Sequence, residues 1–270
     1  MVTPPTVTGS SPQQTRKNDP PFLELRGVHK RYGGVTALRG VDFDVWAGEV
    51  VALVGDNGAG KSTLIKTISG AVHADEGEFF VDGKRVTLGS PHASAALGIA
   101  TVYQDLALCE NLDVISNLFL GKEVGGGPLP GVLRRLGESA MQARARETLD
   151  RISINVPSLD RPVAGLSGGQ RQAIAVGRAL LWGPKLVLLD EPTAALGVQQ
   201  TAQVLELVRR LAESGQAVVL ISHSLPDVFA VADRICVIRL GANAGTFLRS
   251  DATVEKVVAA MTGGLTIEAA

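Results

Sequence analysis

The stretch EVVALVGDNGAGKST, Glu49 to Thr63, runs from a nearly unbroken apolar segment into a glycine-rich loop. Short runs dominated by valine and leucine suit strands covered on both faces, as in a parallel sheet. The loop, Gly55-Asp56-Asn57-Gly58-Ala59-Gly60-Lys61-Ser62-Thr63, matches the phosphate-binding pattern, with a strand before it and a helix after it. Glycines let the backbone approach a polyphosphate closely, and successive N–H groups make a nest for its oxygens. A helix beginning near Ser62 adds the positive end of its dipole. Lys61 can reach the β- and γ-phosphates, and the Ser62 hydroxyl can ligate Mg²⁺. Gly70 then closes the helix as a C-terminal cap.

Working outward, three further runs have the same apolar character: GIATVYQ, KLVLLDE and QAVVLISH. Open parallel sheets bind ligands outside the carboxyl ends of their strands. Polar groups fall at those ends: Gln104 after IATVY, Asp190 and Glu191 after KLVLL, and His223 after AVVLIS. Asp190 can hold Mg²⁺ directly or through water, and Glu191 could orient and polarise an attacking water. Taken alone, adjacent acids at a strand end are often solvated surface, and a lone Gln or His carries little weight. The other histidines, His29, His73 and His92, read as ordinary surface residues. Together with the loop, the four strand ends predict one site along one edge of one sheet.

The rest of the chain frames this site. From Phe22 to about Glu49, FLELRGV and VDFDVWA alternate with polar positions and predict two or three antiparallel strands. The segment from about 106 to 165 reads as a helical insertion. Its cluster VGGGPLPG breaks two helix-like stretches, and ESAMQARARETLDRI places Met141, Ala145, Leu149 and Ile152 on one face. No internal repeat is visible. The opening 1–21, rich in Pro, Ser, Thr and Gln, reads as a disordered tail without the apolar centre of a signal peptide. Residues 263–270 read as a second tail.

Composition narrows the function. With 45% hydrophobic residues among 270, a large core can be buried. The 26 basic and 27 acidic side chains give no clustered basic footprint, so no nucleic-acid partner is expected. Cys109 and Cys236 lie far apart without metal-type spacing, which points to a reducing compartment and to small core residues. No apolar run reaches the roughly 18 residues of a membrane span. A membrane role must come through a partner.

A second motif changes the picture. Leu166-Ser167-Gly168-Gly169-Gln170-Arg171-Gln172 precedes an amphipathic helix with Ala173, Val176, Gly177, Leu180 and Leu181 on its buried stripe. Ser167 is a good N-cap, and the glycines leave N–H groups open at the dipole's positive end. The bland reading is an ordinary capped helix. The sharper one is a site for a nucleotide held by another copy.

The ordered set of the glycine loop, Gln104, LSGGQ at Leu166 to Gln170, LVLLDEP and Ser222-His223 resembles an ATP-binding cassette, over about Phe22 to Thr262. The resemblance implies an α/β fold: a P-loop NTPase (RecA-like) core with an antiparallel β subdomain and an inserted helical subdomain. It implies ATP and Mg²⁺, and two cassettes closing face to face around two ATP molecules. Ser167, Gly168, Gly169 and Gln170 would then meet the γ-phosphate of the partner's ATP. Tyr32, in KRYGG, matches the aromatic that stacks on adenine, though strand aromatics also serve packing. Gln104 would sense Mg²⁺ and contact the membrane partner, Asp190 would serve the metal, Glu191 would be the catalytic base, and His223 would hold the γ-phosphate and water.

After Pro192-Thr193 the chain reads Ala194-Ala195-Leu196-Gly197, where many cassettes have a serine and a final aspartate. Gly197 offers no carboxylate across a dimer. The wording EPTAALGVQQT, GDNGAGKSTLIKTISG and SPHASAALGIATVYQDLAL is similar to bacterial monosaccharide importers of the ribose, xylose and fructose type. The expected partners are a second copy or a homologous cassette, membrane permease subunits and, indirectly, a sugar-binding protein. The expected place is the cytoplasmic face of the membrane. A cassette acting on nucleic acid or ribosomes, or a regulatory ATP switch, are the competing readings; tandem cassettes, long heptads and basic extensions that would favour the former are not seen.

Overall fold

The computed structural model describes residues 20–126, 135–151, 156, 158–194 and 196–264. Most of the expected tails, the centre of the Gly-Pro cluster, Ile152 and Ala195 lie outside the described residues.

Two sheets carry the structure. The larger is made of β3 (Val50–Val54), β6 (Ile99–Val102), β9 (Leu186–Asp190), β10 (Ala217–Ile221), β11 (Arg234–Arg239) and β12 (Ala242–Leu248), in the order β12-β11-β3-β10-β9-β6. All neighbouring pairs are parallel except the β11–β12 edge. Its parallel strands are largely apolar on both faces because both faces are covered. In β9, Leu186 and Leu188 enter one core while Val187 and Leu189 enter the other. Each fully buried Leu or Val of this kind stabilises the fold by about 1.5–3 kcal/mol.

Helices fill both sides of this sheet. They are α1 (Lys61–Ile68), α2 (Pro91–Ala96), α5 (Gly168–Leu180), α6 (Val198–Glu213), α7 (Leu225–Val231) and α8 (Val254–Thr262). Two more, α3 (Val114–Phe119) and α4 (Glu138–Arg151), build a separate apolar cluster in which Val114, Leu118, Met141, Ala145 and Leu149 meet Ile174 and Leu181. The face expected for α4 is thus buried at Met141, Ala145 and Leu149. A short hairpin of β7 (Gly125–Gly126) and β8 (Arg135–Leu136) lies between the two helices in sequence.

The smaller sheet is antiparallel, β2-β1-β4-β5, from β1 (Leu23–Tyr32), β2 (Val35–Val45), β4 (Glu76–Val81) and β5 (Lys84–Val86). The expected region supplies two of its strands; the β4–β5 hairpin adds the others. Its turn, Asp82-Gly83, has φ of 49° and 72°, the left-handed pair that a two-residue hairpin requires.

Three sequence-based expectations need correction. The parallel set has a fifth member, β11, whose first residue is charged. Arg234 is tolerated because it pairs with Asp44 at 2.5 Å and lies over the Trp46 ring at 5.0 Å. The buried face of α5 is broader than one stripe, and Ala173 is only half-buried. The helix sits between two cores, giving Ala175, Val176 and Leu180 to one and Ile174 to the other. Cys236 is a buried core residue, its thiol pushed up to about 11 by burial, whereas Cys109 is half-buried in a loop.

Candidate active site

The loop from Gly55 to Gly60 takes its shape from glycine. Gly55, Gly58 and Gly60 have φ of 152°, 79° and 111°, where side chains are strained. A Cβ on Gly55 would lie 2.1 Å from the Ile238 carbonyl, and one on Gly60 would lie 2.6 Å from the Ala37 carbonyl. At Gly58 the space is open. Asp56, Asn57, Gly58 and Ser62 face solvent and Thr63 is half-exposed, while the Ala59 side chain is buried, so Ala59 offers a ligand only its backbone. Gly60 occupies the N-cap of α1 and no side chain caps that end. The first N–H groups of α1 therefore keep their capacity for an anion.

Lys61 is buried beneath this loop, with Nζ donating to the Gly55 carbonyl at 2.6 Å and the Asp56 carbonyl at 3.0 Å. Burial pulls its pKa below the ordinary lysine value, against the opposing charges of Glu191, Asp190 and Asp56. Asp190, at the end of β9, is pushed above the ordinary carboxylate range, first by burial and then by Glu191, with Lys61 pulling the other way. The sheet thus brings Lys61, Asp190 and Glu191 into one electrostatic neighbourhood.

Glu191 has φ of 51°, an unusual backbone state for a side-chain-bearing residue. Its N–H donates to the Ile221 carbonyl at 3.0 Å, bridging the ends of β9 and β10. Its carboxylate, 16% exposed, lies 2.7 Å from Nδ1 of His223 and accepts the His223 N–H at 3.4 Å. The His223 ring is 70% exposed. Backbone strain of about 1–3 kcal/mol is tolerated where a function depends on aim.

The second helix start is built differently. Ser167 caps α5, its Oγ accepting the Gln170 N–H at 3.3 Å, while Gln170 Oε1 accepts the Ser167 N–H at 3.0 Å. Gln170 is therefore engaged internally, which leaves the Ser167 hydroxyl and the Gly168 N–H at the open end. A Cβ on Gly169 would stand 3.1 Å from Cβ and Cγ of Gln200, so glycine lets α5 and α6 approach closely. Gln104 is exposed and lines a cleft of about 360 Å³ with Gly168, Arg171, Glu191 and Leu196. The cleft sets Gly168 of the second motif beside Glu191 and Gln104. Tyr32 ends β1 46% exposed, its ring 5.4 Å from Lys30 Nζ, so it is not a packed core aromatic.

The ABC transporter family model matches residues 38–194. The chain belongs to the ABC transporter family. It is 47% identical to a fructose import ATP-binding protein of Rhizobium meliloti, across 90% of this chain and 94% of that one. It is 44% identical to a xylose/arabinose import ATP-binding protein of Sulfolobus acidocaldarius, across 89% and 94%. Among solved structures, a nucleotide-free ATP-binding cassette from an ABC transporter superposes with a TM-score of 0.77 at 28% identity, across 88% of this chain and 95% of that one. A dimeric post-hydrolysis cassette bound to ADP and phosphate gives 0.70 at 26% identity, across 84% and 98%.

As an ABC transporter ATPase the chain binds and hydrolyses ATP, and its α/β architecture is that of a P-loop NTPase. The contact between His223 and Glu191 was invisible in sequence, since 32 positions separate them. So was Thr193, whose hydroxyl donates to Asp227 at 2.8 Å and ties the loop after Glu191 to the helix after His223. Among the described residues no helix is long and apolar enough to cross a membrane.

Proposed function

We propose that this ABC ATPase powers monosaccharide import through a separate membrane permease, as a dimer with a second copy of itself or a homologous cassette at the cytoplasmic face of the membrane. The observation that carries the dimer is the mismatch between two phosphate-seeking helix starts and a single set of Lys61, Asp190 and Glu191. The names of the fructose and xylose/arabinose relatives support the sugar. A sugar-binding protein would deliver the cargo to the permease. The working unit is taken as residues 22–262, with a helical subdomain at about 106–165, and nucleic acid as no partner.

In this reading Tyr32 stacks on adenine, and the N–H groups of Asp56 to Thr63 cradle the phosphates with Gly55 opening the loop. Lys61 exchanges its two loop carbonyls for phosphate oxygens. Ser167, Gly168 and Gly169, with Gln170 holding the cap, meet the γ-phosphate of the partner's ATP. Glu191 aims a water at the γ-phosphorus of the chain's own ATP and accepts its proton, with His223 holding the carboxylate from the exposed side.

The donor set fits magnesium. Among the described residues no cluster of three or more acidic, His or Cys ligands exists, and Mg²⁺ usually takes one or two carboxylates plus phosphates and water. Ser62, Asp190 and Gln104 would hold it, and the burial that raises the Asp190 pKa is relieved by a nearby cation. When bound, the ion neutralises charge on the β- and γ-phosphates.

Uptake of fructose, xylose and ribose by cells lacking this chain tests the cargo: loss of one, restored by the parental chain and not by Lys61→Ala, supports the reading. Unchanged uptake of all monosaccharides tried would oppose it.

A further inference from the structure

Resting on that reading, one feature of the loop after Gln104 points to an additional positioning residue. Leu106 packs with the core shared by α5, α6 and the parallel sheet, while Leu108 packs with the separate core of α3 and α4. Between them Ala107 has φ of 47°, a left-handed state that a residue with a Cβ adopts only when its surroundings enforce it. The local enforcement is weak: the Ala107 N–H donates to the exposed Asp105 carboxylate at 3.1 Å.

The stronger restraint comes from 71 and 72 positions away. Arg178, on α5, donates from Nη2 to the Leu106 carbonyl at 2.7 Å and from Nη1 to the Ala107 carbonyl at 2.8 Å. The fork of a guanidinium suits two acceptors at once, which the point charge of a lysine does not. Among the described residues no carboxylate pairs with Arg178 at ion-pair distance, so its charge is directed wholly at backbone carbonyls. Two turns earlier on the same helix, Arg171 pairs with Glu110 at 3.2 Å, and on the far side Asn117 accepts the Cys109 N–H at 2.7 Å. The loop is therefore held to α5 on one side and to α3 on the other, with its left-handed residue between the two cores.

We propose that Arg178 is a latch: it fixes the turn at Ala107, and so holds the Gln104 loop and the Ser167-Gly168-Gly169 helix start in one rigid relation. Gln104 faces the chain's own ATP, whereas Ser167 and the glycines face the partner's. The latch gives one subunit a contact within itself between its two ATP sites, in a chain where Gly197 supplies no carboxylate between subunits.

The test uses full-length protein with Arg178→Ala, Arg178→Lys, Ala107→Gly and the double variant Arg178→Ala/Ala107→Gly. ATP affinity is measured by direct titration, turnover by phosphate release, and dimer formation in a Glu191→Gln background. The latch predicts that Arg178→Ala lowers kcat about tenfold or more while ATP affinity changes less than twofold, because Lys61 and its loop are untouched. Arg178→Lys recovers less than a third of the loss. Ala107→Gly loosens the same turn and lowers kcat by a smaller factor. The double variant is no worse than Arg178→Ala alone, since the turn is already free. Unchanged kcat in Arg178→Ala, or a loss that follows ATP affinity, or full recovery by lysine, or multiplicative losses in the double variant, would each overturn the latch. Should Arg178→Ala fail to fold, the lysine and Ala107→Gly variants still decide. Absence of ATP turnover in the parental protein would instead sink the functional reading on which the latch rests.

Discussion

The two anion-seeking helix starts, at Lys61 and at Gly168, solve the same physical problem in opposite ways. The first leaves its N-terminus without a side-chain cap, shapes the approach with left-handed glycines and buries a cation underneath. The second closes part of its own N-terminus with the Ser167–Gln170 capping box and carries no acidic residue in its first turn. An uncapped helix start costs stability that a bound phosphate can return, so it suits a site that holds its ligand unaided. A capped start is stable by itself and offers only a hydroxyl and the N–H groups of two glycines, so it suits a site that completes a ligand held elsewhere. Under the proposed pairing of two cassettes, the two helix starts are unlike halves of one cradle.

Substitutions at the two helix starts and at the base should have separable effects. The largest effect is expected for Glu191→Gln, which should lower turnover by about 10²- to 10⁴-fold while ATP affinity holds, because only the proton acceptor is lost. Parental turnover would show that the base lies elsewhere. Lys61→Ala removes a charge-assisted contact and should weaken ATP binding by about 10- to 100-fold in a titration, whereas Ser167→Ala should leave that affinity unchanged. Equal losses would erase the distinction between the halves. Gly169→Ala places a methyl 3.1 Å from the Gln200 stem and should destabilise the fold by about 1–3 kcal/mol, seen as a lower denaturation midpoint, and abolish ATP-driven pairing. The smallest effect is that of Ser167→Ala, about 1 kcal/mol of stability from the lost cap, with weaker pairing.

Much of this contrast was legible in the sequence. Strands with both faces buried read as continuous apolar runs, so β3, β6, β9 and β10 declared themselves, together with the polar residues at their ends. The strand β11 did not, because Arg234 breaks the apolar pattern and its partners Asp44 and Trp46 lie about 190 residues earlier. The β4–β5 hairpin falls outside the expected antiparallel region, although Asp82-Gly83 is a strong turn signal. What no local pattern could disclose were contacts made by folding: His223 on Glu191, Thr193 on Asp227, and Arg178 on the carbonyls after Gln104. An arginine on an amphipathic helix reads as a solvated face until the fold brings acceptors to it. The ends of strands were readable, and the wiring between them was not.

The proposed dimer requires one chain to supply two complementary halves of a triphosphate cradle. Sedimentation of the Glu191→Gln protein with magnesium and ATP tests it most directly. The expected result is conversion from monomer to a dimer retaining two ATP molecules, prevented by Gly169→Ala. Protein that stays monomeric while every phosphate loop is filled would contradict it.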